Sequence, residues 1–292
     1  MDQPPQNPLL AALLTVAASG FAAGTTLLAK AIGTGALGAP LHALQISFGR
    51  FLFAFLGFAI AALILRPRFT KPNLTLHVGR SGLGWGGVSL MFAAATFIPL
   101  SDATAISFLN PVFGMLLAIP FLGERIGPWR WGSAAMAFLG ALILMRPGAG
   151  AMQVGALIAL LAALCMGAEL IFIKLLTGRE RPFQVLLINN AVGLVIATTA
   201  ALFVWHSPEP MQWLALAGIG GLMAMAQVCF VNAMRRADAS FVSPFFYCAL
   251  AFAALYDALI FGVHPDAISW AGAALVLASA AILAWRETRL RR

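Results

Sequence analysis

Charge is what this chain has least of. Only 10% of its 292 residues are Asp, Glu, Lys or Arg, whereas a soluble domain carries about 25% and needs a polar face on nearly every element. A soluble globular fold is excluded on that ground. Cysteine is scarce too: Cys165, Cys229 and Cys248 each fall inside an apolar run, with no CxxC spacing, which argues against disulfides and a zinc site. The four histidines (His42, His77, His206 and His264) are in or beside loops, so haem, which needs ligands at membrane depth, is not supported. No apolar run holds a Ser–His or paired-Asp arrangement, and an intramembrane enzyme is disfavoured accordingly. Neither a metal nor a cofactor is expected. The short alternating segments of a membrane β-barrel, about ten residues each, are missing as well.

What fills the chain is apolar: 61% hydrophobic residues and a mean hydropathy of +0.92. Runs long enough to cross roughly 30 Å of hydrocarbon as helices recur along it. Ten spans are predicted, at 9–33, 43–65, 82–100, 103–122, 129–145, 152–176, 183–205, 212–234, 239–262 and 267–285. The opening MDQPPQNP lacks a basic region, and the run after it is too long for a signal peptide's apolar core, so the first span is expected to be retained. The net charge of +8 sits in short loops beside spans, where it sets orientation and implies no nucleic-acid partner. With both termini in the cytoplasm, the inside holds Arg66, Arg68, Lys71, Arg80, Arg125, Arg130, Arg179, Arg181, Arg235, Arg236, Arg286, Arg289, Arg291 and Arg292, and the outside only Arg146. The outer loops carry Asp102, Glu209 and Asp266 instead. That asymmetry predicts cytoplasmic ends.

The chain also repeats itself. TAISFLNPVF (104–113) returns as ADASFVSPFF (237–246), 133 residues later, with Ser107, Phe108 and Pro111 on Ser240, Phe241 and Pro244. The same shift puts Gly87 on Gly220 and Phe97 on Phe230. Five spans per half is an odd number, so the second half, 147–292, must enter the membrane opposite to the first, 1–146. Inverted repeats are a hallmark of secondary transporters, whose sites lie near the midplane between the halves. A proline inside a helix donates no hydrogen bond and pushes away the carbonyl four residues earlier, here Ser107 and Ser240. Such freed carbonyls are tolerated where they line a cavity or meet another helix. Kinks that only improve packing are the plainer alternative. The pairing across halves favours two bent helices, spans 4 and 9, meeting at a central cavity.

Ionisable residues at membrane depth read as functional by default. Lys30 and Lys174 are near helix ends and read as snorkelling anchors. Arg50 and Asp257 lie at comparable depth from the outside and form a candidate charge pair, with Asp257 also a candidate coupling residue. Glu169, deeper in span 6, is a candidate coupling residue or a partner in an ion pair. For cavity lining the candidates are Trp85, Phe92, Ser107, Asn110, Pro111, Gln227, Ser240, Pro244 and Tyr247, with Phe97 and Phe230 as further apolar walls. GLGWGG (82–87) lacks the Lys-Ser/Thr of a phosphate loop and suits close helix packing.

The segment DATAISFLNPVFGMLLAIPFLGERIGPWRWGSAAMAFLGALIL (102–144) resembles the EamA repeat of the drug/metabolite transporter superfamily. It has a Pro in the fourth helix (Pro111), a Gly-Glu turn about a dozen residues on (Gly123, Glu124) and a Gly-bearing fifth helix (Gly132). The second copy keeps Pro244, Gly262 and Gly272 but has Val263 at the Glu position, so Glu124 reads as a loop ion pair with Arg125 or Arg130. The resemblance covers essentially the whole chain. It implies an all-α integral membrane protein, with ten helices in two inverted repeats forming a basket around a central cavity in a bacterial inner membrane. Overall similarity points to the aromatic amino acid exporters of the YddG type. That implies alternating-access export of aromatic and other apolar amino acids such as Met and Leu. Another small metabolite or a hydrophobic drug is the alternative substrate. Coupling to protons and oligomeric state, a monomer included, stay open.

Overall fold

A computed structural model of the chain describes residues 7–67, 69–122, 128–145, 154–176, 180–234, 236, 245 and 248–290. Helices account for nearly all of them. The first is α1 (Pro8–Gly33), started by Pro8 at its first turn and by Asn7, whose side chain accepts from the Leu10 amide at 3.0 Å. A proline is well placed there because its missing N–H would be unpaired anyway. Next comes α2 (Ala43–Leu65), capped by the His42 imidazole and ended by Arg66 in the left-handed region, φ 43°. The third, α3 (Leu74–Phe97), begins at the cap Asn73, eight residues before the predicted span. The missed turns are polar, and they bring His77 and Arg80 inside the helix. Arg80, expected in an inner loop, is instead 7% exposed.

The fourth span is broken, as its proline requires. It consists of α4 (Leu100–Ser107) and α5 (Asn110–Leu122), joined by a tight turn in which the Phe108 and Leu109 amides donate to Ala105 and Ile106. Pro111, in the first turn of α5, has no N–H for the Ser107 carbonyl, so the ladder stops there. The Ser107 hydroxyl donates to the Thr104 carbonyl at 2.7 Å, which is the purely structural arrangement for a serine beside a kink. The break expected at the matching place in the second half, with Ser240, Pro244 and Tyr247, falls outside the described residues.

The remaining helices are α6 (Pro128–Met145), α7 (Val154–Leu176), α8 (Pro182–Leu202), α9 (Pro210–Met234), α10 (Cys248–Phe261) and α11 (Ala267–Leu290). Among the described residues, six spans are long and apolar enough to cross a membrane, the broken one included. Helix packing repeats when the halves are exchanged. α1 lies on α9 as α7 lies on α3; α2 on α9 as α8 on α3; α1 on α10 as α7 on α5; and α2–α8 and α6–α11 pair across the middle. An approximate twofold relation between the halves accounts for that pattern. Ends of helices therefore gather on two faces, one with Arg66, Lys71, Arg181 and Arg236, the other with Asp102, Glu209 and Asp266.

Lipid supplies no hydrophobic force between helices, so close backbone approach has to hold them together. At the α6–α11 crossing a Cβ on Gly140 would lie 2.7 Å from the Gly272 carbonyl oxygen, and one on Gly272 2.9 Å from that of Gly140. Backbone cannot move aside as a side chain can. Gly140→Ala is expected to cost about 1–3 kcal/mol, the usual range for overpacking, read as a lower apparent Tm of the purified protein in detergent. Gly132→Ala, with open space at its Cβ, should leave the Tm unchanged.

Candidate functional site

Buried charge is concentrated at three levels. Nearest the acidic face, Lys30 of α1 meets Asp257 of α10 at 2.7 Å, with both side chains almost wholly buried. The other Asp257 oxygen accepts the Ser101 amide at 3.0 Å, in the first turn of α4, where the helix dipole favours an anion. The ammonium also lies 4.6 Å from the centre of the Phe261 ring. This clasp joins α1, α4 and α10. Lys30 is therefore an ion-pair partner, not a snorkelling anchor. The expected Arg50–Asp257 pair does not form, because α10 packs against α1 and α4 while Arg50 is carried by α2. Beside this clasp, Gln45 and His206 exchange side-chain and backbone hydrogen bonds.

At the basic face a second clasp joins the halves. Glu180, just before α8, accepts from the Asn73 amide, His77 Nε2 and Gln184 Nε2 at 2.8–2.9 Å. Gln184 in turn exchanges hydrogen bonds with the Thr70 backbone. Burial pushes the Glu180 carboxyl upward, but these donors together outweigh it and hold the group below its usual value of 4.5.

Between the clasps is a third cluster, at membrane depth. Glu169 of α7 faces Arg80 of α3 at 3.3 Å. The pair meets over Gly84, where a Cβ would come 3.0 Å from the carboxyl group. The Arg80 guanidinium also donates to the Val185 carbonyl, and Glu169 feels the charge of Arg50 as well as Arg80. Around them Ser81 donates to Asn189 at 3.1 Å, and Asn190 donates to Gln227 at 3.3 Å. Several buried atoms here have no partner among the described residues: Arg50 Nε and Nη1, Trp85 Nε1, Ser89 Oγ and Asn190 Oδ1.

The structure thus brings Arg50, Trp85, Glu169 and Gln227 to the region framed by α2, α3, α7, α8 and α9. Asn110 starts α5 with its carbonyl oxygen against Gly167 of α7, two residues from Glu169. Phe92 is sealed in an apolar cluster with Ile32, Ile46 and Leu216, toward the acidic face. Phe97 is 64% exposed and turns away from the interior, so it builds no cavity wall. Ser240, Pro244 and Tyr247 lie outside the described residues, as does the Pro111 side chain. Sequence reasoning passed over Arg80, Ser81, Ser89 and the Lys30 pairing. One signal was present: His77, Arg80, Gly84 and Gly87 recur at helical spacing, a face of small and basic residues suited to a carboxylate on the facing helix.

Two halves packed about an approximate twofold, clasped at both ends around buried polar groups, define an integral membrane carrier. A model of the EamA-like transporter family matches residues 9–146 and again 153–285, and the chain belongs to that family. A riboflavin transporter of Rhizobium johnstonii is 36% identical over 222 residues, covering 74% of this chain and 72% of that one. An S-adenosylmethionine uptake transporter of Rickettsia bellii is 26% identical over 258 residues, 87% of each chain. A solved structure titled only as a crystal structure of a protein superposes with a TM-score of 0.61 over 97% of this chain and 99% of that one, at 22% identity; it shows the fold alone. These relatives place the chain among transporters without singling out the aromatic amino acid exporters.

Removing one member of a buried ion pair leaves the other uncompensated, at about 3–5 kcal/mol, whereas replacing both by apolar groups is often neutral. Glu169→Gln is expected to lower the detergent Tm more than the double change Arg80→Met with Glu169→Leu, a reversal that a double-mutant cycle measures. Glu180 has a folded value below its unfolded one, so its stabilisation is complete above 4.5 and is lost as pH falls through the lower value. Unfolding scans at descending pH should show acid destabilisation setting in below about pH 4.5, reduced in Glu180→Gln.

Proposed function

We propose that this chain carries a small, acceptor-rich aromatic solute, with riboflavin the first candidate, across a bacterial inner membrane by alternating access. The two halves, 1–146 and 147–292, frame the path, and both termini are in the cytoplasm. The observation behind the substrate class is the excess of unpartnered donors in the central cluster: Arg50 Nε and Nη1 and Trp85 Nε1, against the acceptor Asn190 Oδ1, with the Ser89 hydroxyl able to act as either. Buried donors left without acceptors are costly, and a solute rich in carbonyl oxygens and ring nitrogens would satisfy them. An isoalloxazine ring offers such acceptors, an N–H for Asn190 and a face for Trp85. The name of the 36% identical Rhizobium relative supports the same class.

Export of aromatic, Met or Leu amino acids is the second reading, favoured by the same Arg50, which suits an α-carboxylate. Their ammonium group fits less well, because the carboxylate in the cluster, Glu169, is already engaged by Arg80. Transport by purified protein in liposomes separates the two. Radiolabelled riboflavin is expected to enter saturably above empty liposomes, while tryptophan, phenylalanine, leucine and methionine do not. Movement of the amino acids without riboflavin would replace the first reading by the second.

A further inference from the structure

We propose that Arg50 is the polar anchor of the transported solute, and that it selects an anionic or carbonyl-bearing end while rejecting cations. The inference deepens the central-site reading above but does not depend on riboflavin. Arg50 is 5% exposed and about 10 Å along α2 from the acidic-face end, by the helical rise per residue. Its guanidinium lies over the Phe51 ring, 4.1 Å from the centroid. One face is therefore covered by an aromatic, and Nε and Nη1, one on each of the two forking edges that meet at Nη2, are left without partners. Each of those edges thus offers a free donor toward a carboxylate or a pair of carbonyl oxygens.

Its surroundings account for the orientation. Phe51 is itself seated against α8 at Gly193, where a Cβ would fall 2.2 Å from the ring, so the absent side chain makes room for the platform. On the facing helix, α3, Trp85 Nε1 and Ser89 Oγ are also buried without partners. Val88 and Phe92 between and beyond them pack in the same apolar cluster as Ile46 and Phe53, which flank Arg50 on α2. The donors thus belong to facing stretches of two neighbouring helices. The charge balance agrees: Arg50 and Arg80 share one carboxylate, Glu169, and that carboxylate is in contact with Arg80. Asp257, the other buried acid at comparable depth, is taken by Lys30. The site carries net positive charge in a low dielectric, where it attracts an anion or dipolar oxygen and repels a cation.

Binding to the purified full-length protein in detergent, by calorimetry and ligand-induced Tm shift, tests this with riboflavin, benzoate and benzylamine. Benzoate and benzylamine share shape and differ in charge. Riboflavin and benzoate are expected to bind wild type, and benzylamine not. Arg50→Gln should weaken both ligands by about tenfold to a hundredfold, the range for hydrogen bonds to a charged group. Arg50→Lys keeps the charge without the fork, and should retain benzoate better than Arg50→Gln does. Gly193→Ala, which displaces the Phe51 platform but removes no donor, should weaken both ligands less than Arg50→Gln. Arg50→Lys also guards against misfolding: if Arg50→Gln is not monodisperse, a Lys variant that binds riboflavin and benzoate as wild type does overturns the inference. So does riboflavin binding Arg50→Gln with wild-type affinity, although the riboflavin reading would then survive. Arg50-dependent binding of benzoate without riboflavin upholds the anchor and removes the riboflavin reading. Benzylamine binding as tightly as benzoate, or no ligand binding wild type, also overturns the anchor.

Discussion

Burying charge where no water can reach it is the constraint on which this structure turns. Moving an ion into hydrocarbon costs several kcal/mol even after relaxation, and the cost is recovered only by a well-placed partner. The described ionisable side chains obey this with few exceptions. Lys30 has Asp257, Arg80 has Glu169, and Glu180 has His77 with two further donors. Each pair joins helices from different halves of the chain. The attractions that lower the cost of burial are therefore the same ones that fix how the halves dock.

Their placement bears on the alternating access proposed for this chain. One clasp sits toward the acidic face, another at the basic face, and the Arg80–Glu169 pair between them. In a carrier that opens to one side at a time, a clasp on one face has to yield while the other holds. The two differ in chemistry. Lys30–Asp257 is closed by a helix N-terminus and an aromatic ring, whereas the Glu180 clasp is a set of hydrogen bonds from a backbone amide, an imidazole and a carboxamide. Arg50 stands apart, buried with Nε and Nη1 unpartnered, and a residue left so is costly unless something else supplies the acceptor.

Much of the fold was legible from composition and periodicity. Span 2 is found at its predicted ends, 43–65, and α1, α6, α7, α8 and α9 begin or end within a few residues of expectation. Pro111 announced the break between α4 and α5, since a missing N–H interrupts a helix in any environment. The start of α3 was not legible. Its first turns, LTLHVGR, look like a polar loop, and only the cap Asn73 with partners on α7 and before α8 makes them helix. Hydropathy cannot see a partner a hundred residues away. The same limitation misassigned Lys30 and paired Arg50 with Asp257: position along each span was legible, but which helices are neighbours was not available.

The sequence by itself determined that the chain lives in a membrane, that it is built twice over, and where its fourth span is interrupted. Those properties follow from local chemistry: apolar length, proline and the recurrence of residues along the chain. Only the tertiary structure decided which buried charges neutralise one another, which glycines mark helix crossings and which guanidinium is left over. Those depend on which helix faces touch, and contacts between residues far apart in sequence exist only once the halves have packed.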